Sequence, residues 1–287
     1  MVEGNMGIDE TGVAESKKKP VEPGVERNEQ GRIVATGWPK TKKKEWLDAY
    51  KQIGKTVATQ VKYEHIVKSM GKRTEQGYDV IKNLPFVLSR KDLSPYLRKE
   101  ILLKSNKDRE RKLLKICDIG GGTGDMLWKA LYKIGEEAQN LELETTMTTL
   151  VHHNRKETKK STGIDKIRTL AVEFPHDDMY EEYDIITCQN SVFNWSKFPE
   201  LSTLNMWKML REGGVIIGTA WKRAREIDGK NFDTITFLKN TELFDFEELG
   251  EANEGAAVAF KLTKKKLPAK TIINDTNLKI VRPKPAS

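Results

Sequence analysis

The feature that most constrains this sequence is an apolar strand that runs directly into a glycine-rich turn. Residues 115–124 read Lys-Ile-Cys-Asp-Ile-Gly-Gly-Gly-Thr-Gly, and a buried strand is predicted over 113–119. Glycine tolerates positive φ and has no side chain, so such a turn lets the backbone approach a ligand at the carboxyl edge of a sheet. Apolar residues then recur at helical spacing from Leu127 to Ile134, and Gly135 provides a stop. We therefore expect one strand–turn–helix unit with a ligand beside the turn. A tight turn without a ligand is the alternative.

The charge of the chain favours an anionic partner. The 287 residues carry a formal net charge of +8, and lysines are clustered in runs such as 40–44 and 156–160. Several lysines that face a phosphate backbone release counterions, so repeated basic clusters favour nucleic acid over a membrane. A solvated lysine-rich surface is the alternative interpretation.

The cysteine content indicates a reducing compartment. Cys117 and Cys188 both lie in apolar, strand-like runs, which favours buried thiols over a surface disulfide. No Cys/His spacing suggests a zinc site, so no metal is expected. The sequence shows neither a signal peptide nor a long apolar segment, and we expect an intracellular protein of the nucleus or cytoplasm.

Composition divides the chain into three parts. Residues 1–36 contain almost no large apolar side chains, so a disordered basic and polar tail is expected. Over 37–108, apolar residues at helical spacings predict a helical amino-terminal extension with a basic face. Its last helix is predicted from Ser94, with Asp92 or Ser94 near the cap and Pro95 in the first turn. Residues 109–287 form the predicted α/β domain.

Short apolar runs after the glycine turn predict the other strands of a mostly parallel sheet. They cover 140–145, 170–174, 183–191, 215–220, 232–237, 257–262 and 271–281. The helix before the 215–220 strand is predicted to open at Pro199 and to end at Gly213 and Gly214. The last three runs are enough for an antiparallel hairpin that closes the sheet.

The glycine turn resembles motif I, D/E-x-G-x-G-x-G, of class I S-adenosylmethionine (SAM)-dependent methyltransferases. The matching positions are Asp118, Gly120, Gly122 and Gly124, and this spacing differs from the G-x-G-x-x-G of dinucleotide-binding turns. The resemblance implies a Rossmann-like class I methyltransferase fold, with a mostly parallel seven-stranded sheet and helices on both faces. It also implies SAM as the cofactor.

An acid that receives the ribose hydroxyls of the cofactor is expected about 20 residues past such a turn. Glu144 lies at that distance, at the predicted end of the second strand, and Glu142 is the other candidate. Asp165 is a weaker rival that requires a long insertion before it. An exposed strand-end glutamate with no binding role fits the pattern equally well.

The resemblance implies two more cofactor contacts. In class I methyltransferases an acid or polar group after the third strand faces the adenine amine, and Asp177 is chosen here, with Asp178 as its neighbour. Gln189, where the fourth strand runs out into the crevice, is also expected to hold SAM.

A sharper resemblance covers about 50 residues between 183 and 237. The runs Tyr183–Gln189, Gly213–Thr219 and Phe232–Phe237 are similar to F-D-x-x-S-C-Q, G-G-x-x-I-G-T and F-G-N-x-x-x-x-V-x-F of the messenger-RNA cap guanine-7 methyltransferases. The chain departs from that family at Thr123, where a lysine is usual, and at Phe193 and Asn194, where a His-Tyr pair contacts guanine. A divergent cap enzyme or a methyltransferase for another substrate is therefore indicated.

The same resemblance implies an acceptor site in the loops after the fourth and fifth strands. The residues expected to border the acceptor are Asn190, Phe193, Asn194, Trp195 and Trp221. Trp221 precedes Lys-Arg and would combine base stacking with a phosphate contact, although a surface tryptophan beside solvated charges is the alternative. No catalytic side chain is expected, because the guanine nitrogen has an in-plane lone pair and alignment with the SAM sulfonium supplies most of the acceleration.

The sequence as a whole predicts a SAM-dependent methyltransferase that acts on RNA, with guanine-7 of the mRNA 5′ cap as the preferred acceptor. Two alternatives stay open: a SAM-dependent methyltransferase for a small-molecule or protein acceptor, and a non-catalytic RNA- or partner-binding subunit. Capped RNA is the expected partner, a protein partner subunit is left open, and no membrane partner is expected.

Overall fold

A computed structural model describes most of the predicted α/β domain and short pieces before it. The described residues are 24–27, 33–36, 91–107, 113–122, 124–135, 141–149, 162–170, 172, 175–196, 198–227, 229–268, 272–274 and 278–281. Within the predicted tail, the antiparallel strands β1 (Gly24–Arg27) and β2 (Ile33–Thr36) pair with each other. The helices predicted before residue 91 lie outside the described residues and stay a prediction.

A seven-stranded sheet forms the centre of the molecule. Its strands are β3 (Leu113–Asp118), β4 (Glu142–Thr149), β5 (Lys166–Thr169), β6 (Tyr183–Cys188), β7 (Leu210–Trp221), β10 (Phe244–Ala252) and β11 (Ala257–Lys264). Their order is β10-β11-β7-β6-β3-β4-β5, and β11 runs in the direction opposite to the other six strands of this sheet. The predicted mostly parallel seven-stranded sheet is therefore confirmed.

Helices and two small hairpins surround this sheet. The helices are α1 (Ser94–Lys107), α2 (Asp125–Gly135), α3 (Val192–Trp195), α4 (Pro199–Met209) and α5 (Thr234–Asn240). The hairpins pair β8 (Arg225–Ile227) with β9 (Lys230–Phe232), and β12 (Ile272–Asn274) with β13 (Lys279–Val281). Among the described residues, no helix is long and apolar enough to cross a membrane.

Two apolar clusters cover the two faces of the sheet. One contains Leu97 and Ile101 of α1 together with Leu127 of α2. The other contains Leu204 of α4 together with Phe193 and Phe260, whose rings meet edge to face. Burial of both faces is what a parallel sheet requires, since its strands are apolar on both sides.

Helix α1 belongs to the same core as the sheet, although the sequence places it in the amino-terminal extension. Asp92 caps it as predicted, since its Oδ1 accepts from the Ser94 backbone N–H at 2.9 Å. The other carboxylate oxygen of Asp92 lies 3.4 Å from Lys129 Nζ on α2, and the Asp92 side chain is only 3% exposed. The Tyr96 hydroxyl donates to the Leu249 carbonyl at 3.2 Å, which fixes α1 to β10 as well.

The structure corrects several predicted boundaries. The second strand continues to Thr149 instead of ending near Glu144, and the third lies at Lys166–Thr169, just before the predicted 170–174. Strand β7, predicted over 215–220, begins at Leu210, so Gly213 and Gly214 lie inside it, and the helix before it, α4, ends at Met209. Strand β10 was not predicted.

The predicted strand over 232–237 is wrong for a local reason. Asp233 accepts a hydrogen bond from the Thr236 backbone N–H at 3.1 Å and another from the Thr236 hydroxyl at 2.7 Å. This is an N-cap, which satisfies backbone donors that a helix start leaves open. The run that follows, although β-branched and aromatic, therefore becomes α5.

Candidate cofactor and acceptor site

The glycine turn lies at the carboxyl end of β3, as predicted. Gly120, Gly122 and Gly124 have φ of +67°, +59° and +82°, all in the region that favours glycine. A Cβ on Gly120 would lie 2.7 Å from Ser191 Cβ, and one on Gly124 would lie 2.8 Å from Ile164 Cδ1. The fold itself therefore requires these glycines, and their presence alone does not demonstrate a ligand.

Backbone hydrogen bonds tie the turn to the strands on both sides. The Ile119 N–H donates to the Thr187 carbonyl of β6 at 2.7 Å, and the Gly121 N–H donates to the Thr148 carbonyl of β4 at 3.1 Å. Ser191, just after β6, donates from Oγ to the Ile119 carbonyl at 2.8 Å. The turn thus lies at the carboxyl end of β3, between β4 on one side and β6 on the other, where the strand order reverses. This is the place where ligands bind in open α/β sheets.

Asp118 is buried beneath this turn and not displayed on its surface. Its side chain accepts from the Thr187 hydroxyl at 2.7 Å, and a Cβ on Gly121 would overlap its other carboxylate oxygen. Burial raises the pKa of Asp118 to about 7, and the hydrogen bond from Thr187 acts in the opposite direction. Asp118 therefore supports the turn from below and changes charge near neutral pH.

The loop after β6 places Gln189 and Asn190 at the same edge of the sheet. Gln189 is half-buried, and its Oε1 accepts from the Leu93 backbone N–H at 2.8 Å, which holds the start of α1. Asn190 is exposed and has φ of +50°, in the left-handed region. Its backbone N–H donates to Thr219 Oγ1 of β7 at 2.8 Å. The structure therefore brings both residues beside the turn.

Two of the residues expected to border the acceptor are inside the protein. Phe193 is fully buried against Phe260, and Asn194 is 2% exposed. The Asn194 side-chain oxygen accepts from the Trp221 backbone N–H at 3.0 Å. The acceptor-contact prediction for Phe193 and Asn194 is therefore corrected, because α3 turns both side chains into the packed interior. Trp195 ends α3, and its side chain lies outside the described residues.

Trp221 ends β7 at the carboxyl edge and carries a cation on its ring. The Arg223 guanidinium lies 5.4 Å from the centre of the half-buried Trp221 ring, and Arg223 is exposed. In the hairpin that follows, the Arg225 guanidinium lies 5.7 Å from the Phe232 ring centre. We call residues 221–232 the basic arm. It leaves the sheet two strands away from the glycine turn.

Glu144 is not at a strand end, which removes the basis for assigning it to the ribose. It lies inside β4 opposite Lys115, three residues before Asp118 of β3. Its carboxylate pairs with Lys166 Nζ at 2.5 Å and lies 3.8 Å from Lys115 Nζ. The hydrogen bond from Lys166 is the main reason that the pKa of Glu144 is lowered. Glu142 begins the same strand, still farther from the turn.

The other two acids proposed for the cofactor also lie elsewhere. Asp165 precedes β5 and accepts from the backbone N–H and the hydroxyl of Thr145, both at 2.8 Å. Asp177 begins a 3₁₀ helix, Asp177–Met179, eight residues after β5 ends, and the chain then enters the amino end of β6. The predicted position of Asp177 at the carboxyl end of the third strand is therefore wrong. Its neighbour Asp178 pairs with Arg168 at 2.7 Å.

The part of the site that fits SAM is the turn, whereas the described acids considered for the ribose, Glu142, Glu144 and Asp165, do not lie beside it. The turn is a close backbone approach at the switch point, supported by a buried acid. Among the described residues there is also no group of three His, Cys, Asp or Glu side chains that would hold a metal ion.

Similarity to solved structures identifies the fold. The DszA carbon methyltransferase aligns with a TM-score of 0.50 and 14% identity, over 76% of this chain and 66% of that one. The chain has the class I methyltransferase fold. The CMeT domain of the citrinin polyketide synthase aligns with a TM-score of 0.45 and 16% identity, over 85% of this chain and 75% of that domain. No protein-family model and no curated protein matches the sequence. The Rossmann-like fold prediction is confirmed, and these identities say nothing about the acceptor.

Proposed function

We propose that this chain is a SAM-dependent methyltransferase that acts on RNA. The observation that carries the proposal is the Asp118–Gly124 turn at the switch point of a class I sheet, with the Asn190 loop against it through the 2.8 Å bond from Ser191 to Ile119. A cofactor at the turn and an acceptor at the loop would then be neighbours. Proximity and alignment of the two reactants is the main source of rate in such a transfer.

The cofactor would be held at Asp118, Gly120 and Gly122, with Gln189 at the edge of the crevice. SAM supplies an electrophilic methyl group on a sulfonium. The protein supplies a close backbone approach and a buried carboxylate, while no residue is assigned to the ribose hydroxyls.

The basic arm supports RNA as the acceptor class. Between Trp221 and Phe232 the sequence contains four basic and two acidic residues. One of the basic residues, Lys222, forms an ion pair with Glu251 at 2.5 Å. Arg223, on the Trp221 ring, joins a cation to an aromatic face at the crevice edge. Proteins that bind single-stranded nucleic acid combine these two elements, since bases stack on the ring and phosphates pair with the cation.

Guanine-7 of the mRNA cap is the acceptor that we favour within this class. Guanine nitrogen 7 needs no proton removed before it attacks, which agrees with a site in which no general base is assigned. Because Phe193 and Asn194 are buried, contacts with guanine would fall to Asn190 and Trp221. This is a different set of contacts from the His-Tyr pair of the family that the sequence resembles.

A calorimetric titration with SAM, followed by methyl transfer from labelled SAM to GpppG-capped RNA, tests the proposal. We expect SAM to bind and label to appear on the cap guanine, with no label on uncapped RNA of the same sequence. Asp118→Asn keeps an oxygen that accepts from Thr187 but removes the charge beneath the turn, so it should weaken SAM binding about tenfold. Absence of SAM binding to the folded wild-type chain would refute the proposal and leave a non-catalytic subunit.

A small-molecule or protein acceptor is the second candidate, and the burial of Phe193 and Asn194 favours it. Both side chains were expected to contact guanine but are packed in the core, so the crevice offers fewer side chains that could bind guanine. SAM binding without transfer to either RNA would select this candidate. The salt dependence of RNA binding separates the two readings, since a phosphate backbone gives a steep loss of affinity with added salt.

A further inference from the structure

We propose that the outer face of α2, around Trp128 and Tyr132, is a second RNA contact that holds nucleotides flanking the acceptor. The proposal rests on the RNA methyl transfer proposed above and adds a binding surface outside the crevice. We call Trp128 and Tyr132 the aromatic pair. Single-stranded RNA is the ligand that the chemistry of this face fits.

The two rings of the aromatic pair stack on each other along the helix. Their centroids lie 5.1 Å apart, with an interplanar angle of 19°. Trp128 is half-buried, whereas Tyr132 is 46% exposed and is one of three large apolar side chains that the described residues expose. Because the contact with Trp128 orders the Tyr132 ring, a base that stacks there would meet a surface already in position, which lowers the entropic cost of binding.

The aromatic pair lies directly beyond the glycine turn. The Trp128 backbone N–H donates to the Gly124 carbonyl at 2.9 Å. From Gly124 to Tyr132 the helix advances about 12 Å, at about 1.5 Å per residue. A nucleic-acid strand advances about 3.4 Å per nucleotide in a duplex, so a few nucleotides cross this distance. An RNA with its acceptor beside the turn would therefore reach Tyr132 with the nucleotides next to the acceptor.

The surface around the aromatic pair is basic. Lys133 Nζ lies 5.6 Å from the centre of the Tyr132 ring. The one acid of α2, Asp125, is only 5% exposed. The neighbouring helix α1 contains four basic residues and one acid, Glu100, whose side chain is 12% exposed and lies 3.8 Å from Lys261. An exposed ring among cations is what single-strand binders use, because bases stack on the ring and phosphates pair with the cations.

The other exposed tyrosine shows why charge points to RNA as the ligand of this face. Tyr180 is 39% exposed, but it follows Asp177 and Asp178 and precedes Glu181 and Glu182. A phosphate backbone would be repelled there and attracted around the aromatic pair. The basic arm repeats the combination of a ring with a cation, so the two surfaces would hold the same RNA.

A comparison of a short and a long substrate tests the proposal. GpppG contains the acceptor guanine and one further nucleotide, whereas a capped RNA of about 16 nucleotides matches the longest site sizes of single-strand binders. In Tyr132→Ala the ratio of kcat/KM for the long RNA to kcat/KM for GpppG should fall about tenfold, which corresponds to about 1.4 kcal/mol for one lost stack. A purely structural effect would lower kcat/KM for both substrates equally and leave the ratio unchanged.

Matched variants distinguish base stacking from apolar contact. Tyr132→Phe keeps the ring and should keep the wild-type ratio. Tyr132→Leu keeps apolar area without an aromatic face and should lose the ratio as Tyr132→Ala does; a wild-type ratio in this variant would overturn base stacking. Tyr180→Ala removes a similarly exposed ring from the acidic surface and should leave both substrates at wild-type values. Affinity for the long RNA without SAM, measured by fluorescence anisotropy, should follow the same order.

The outcomes separate this inference from the proposed function. Wild-type protein that neither binds the long RNA nor transfers a methyl group to either substrate refutes both. RNA binding that depends on Tyr132 without any transfer refutes the function alone. Wild-type protein that methylates the long RNA, with an unchanged ratio and affinity in Tyr132→Ala, refutes only the inference. A ratio and an affinity that fall together in Tyr132→Ala and Tyr132→Leu support both.

Discussion

The buried carboxyl of Asp118 gives the sharpest stability prediction. Its pKa is raised from the ordinary 3.8 to about 7, mainly because burial penalises the charged form. In the unfolded chain the same group ionises near 3.8, so between pH 4 and 7 the folded state binds more protons than the unfolded state. Stability from this group is therefore fully present below about pH 4 and is lost as the pH rises through 7.

The size of the effect follows from the shift. A difference of about three pH units at about 1.36 kcal/mol per unit gives roughly 4 kcal/mol. That is a large share of the 5–15 kcal/mol by which domains are usually stable. Asp118→Asn removes the titration and keeps an oxygen that accepts from Thr187. We expect the unfolding free energy of the variant to match the wild type near pH 4 and to exceed it by about 4 kcal/mol at pH 8.

Urea unfolding at pH 4, 5, 6, 7 and 8 measures this difference, since the other titrating groups contribute equally to both proteins. Asp178→Asn is the control of opposite sign, because Arg168 lowers the pKa of Asp178 by a hydrogen bond. Its pair is largely exposed, so the variant should lose only a few tenths of a kcal/mol at neutral pH and nothing at low pH. If the difference in unfolding free energy between Asp118→Asn and wild type stays constant from pH 4 to 8, the pKa of Asp118 is not raised by burial, and the reasoning is refuted.

Three further predictions test the turn, the basic arm and the attachment of α1. Gly120→Ala should cost about 2–4 kcal/mol of unfolding free energy, from the positive φ and the 2.7 Å approach to Ser191, whereas Gly213→Ala, with equal φ and open space, should cost only about 1 kcal/mol. Arg223→Gln should reduce the slope of log affinity for RNA against log salt by about 1, and Lys266→Gln, an exposed lysine at the opposite edge of the sheet, should leave that slope unchanged. Asp92→Ala should destabilise the fold by about 1 kcal/mol in urea unfolding, because it removes the cap of α1 and the ion pair with Lys129; an unchanged free energy of unfolding would contradict that account.

Much of the fold was predictable because the local pattern of apolar residues matches the side chains that the folded protein buries. The strand over 113–119, the stop at Gly135 and the strand at 257–262 were all predicted from local patterns that the tertiary structure keeps. Strand β4 was cut short because its second half, Thr-Thr-Met-Thr-Thr, has Met147 as its one apolar residue, yet those threonines are buried as well. β-Branched residues favour strands whether or not they are apolar. The error moved the strand end, and with it the role given to Glu144.

The candidate site was less predictable than the fold, because its residues are selected by long-range contacts. Phe193 and Asn194 follow β6 in sequence just as Asn190 does, but α3 turns them inward. No local pattern separates a side chain that faces a crevice from one that faces the core within a four-residue helix. Asn253, on the turn between β10 and β11, lies outside every motif, and only its contact with Asn190, 63 residues away, brings it to the same edge of the sheet.

The carboxyl edge of the sheet uses one residue type to join strand and site. Thr148 of β4 accepts from the Gly120 N–H at 3.2 Å, Thr187 of β6 donates to Asp118, and Thr219 of β7 bonds both the backbone and the side chain of Asn190. The β-branched side chain of threonine favours the strand conformation, and its hydroxyl can form hydrogen bonds with a neighbouring loop. Valine shares the branching but has no hydroxyl. Each loop of the candidate site is therefore attached to the rigid sheet by a side chain that the sheet already needs. Such attachment positions the turn and the Asn190 loop before any ligand arrives, which is what a reaction driven by alignment requires.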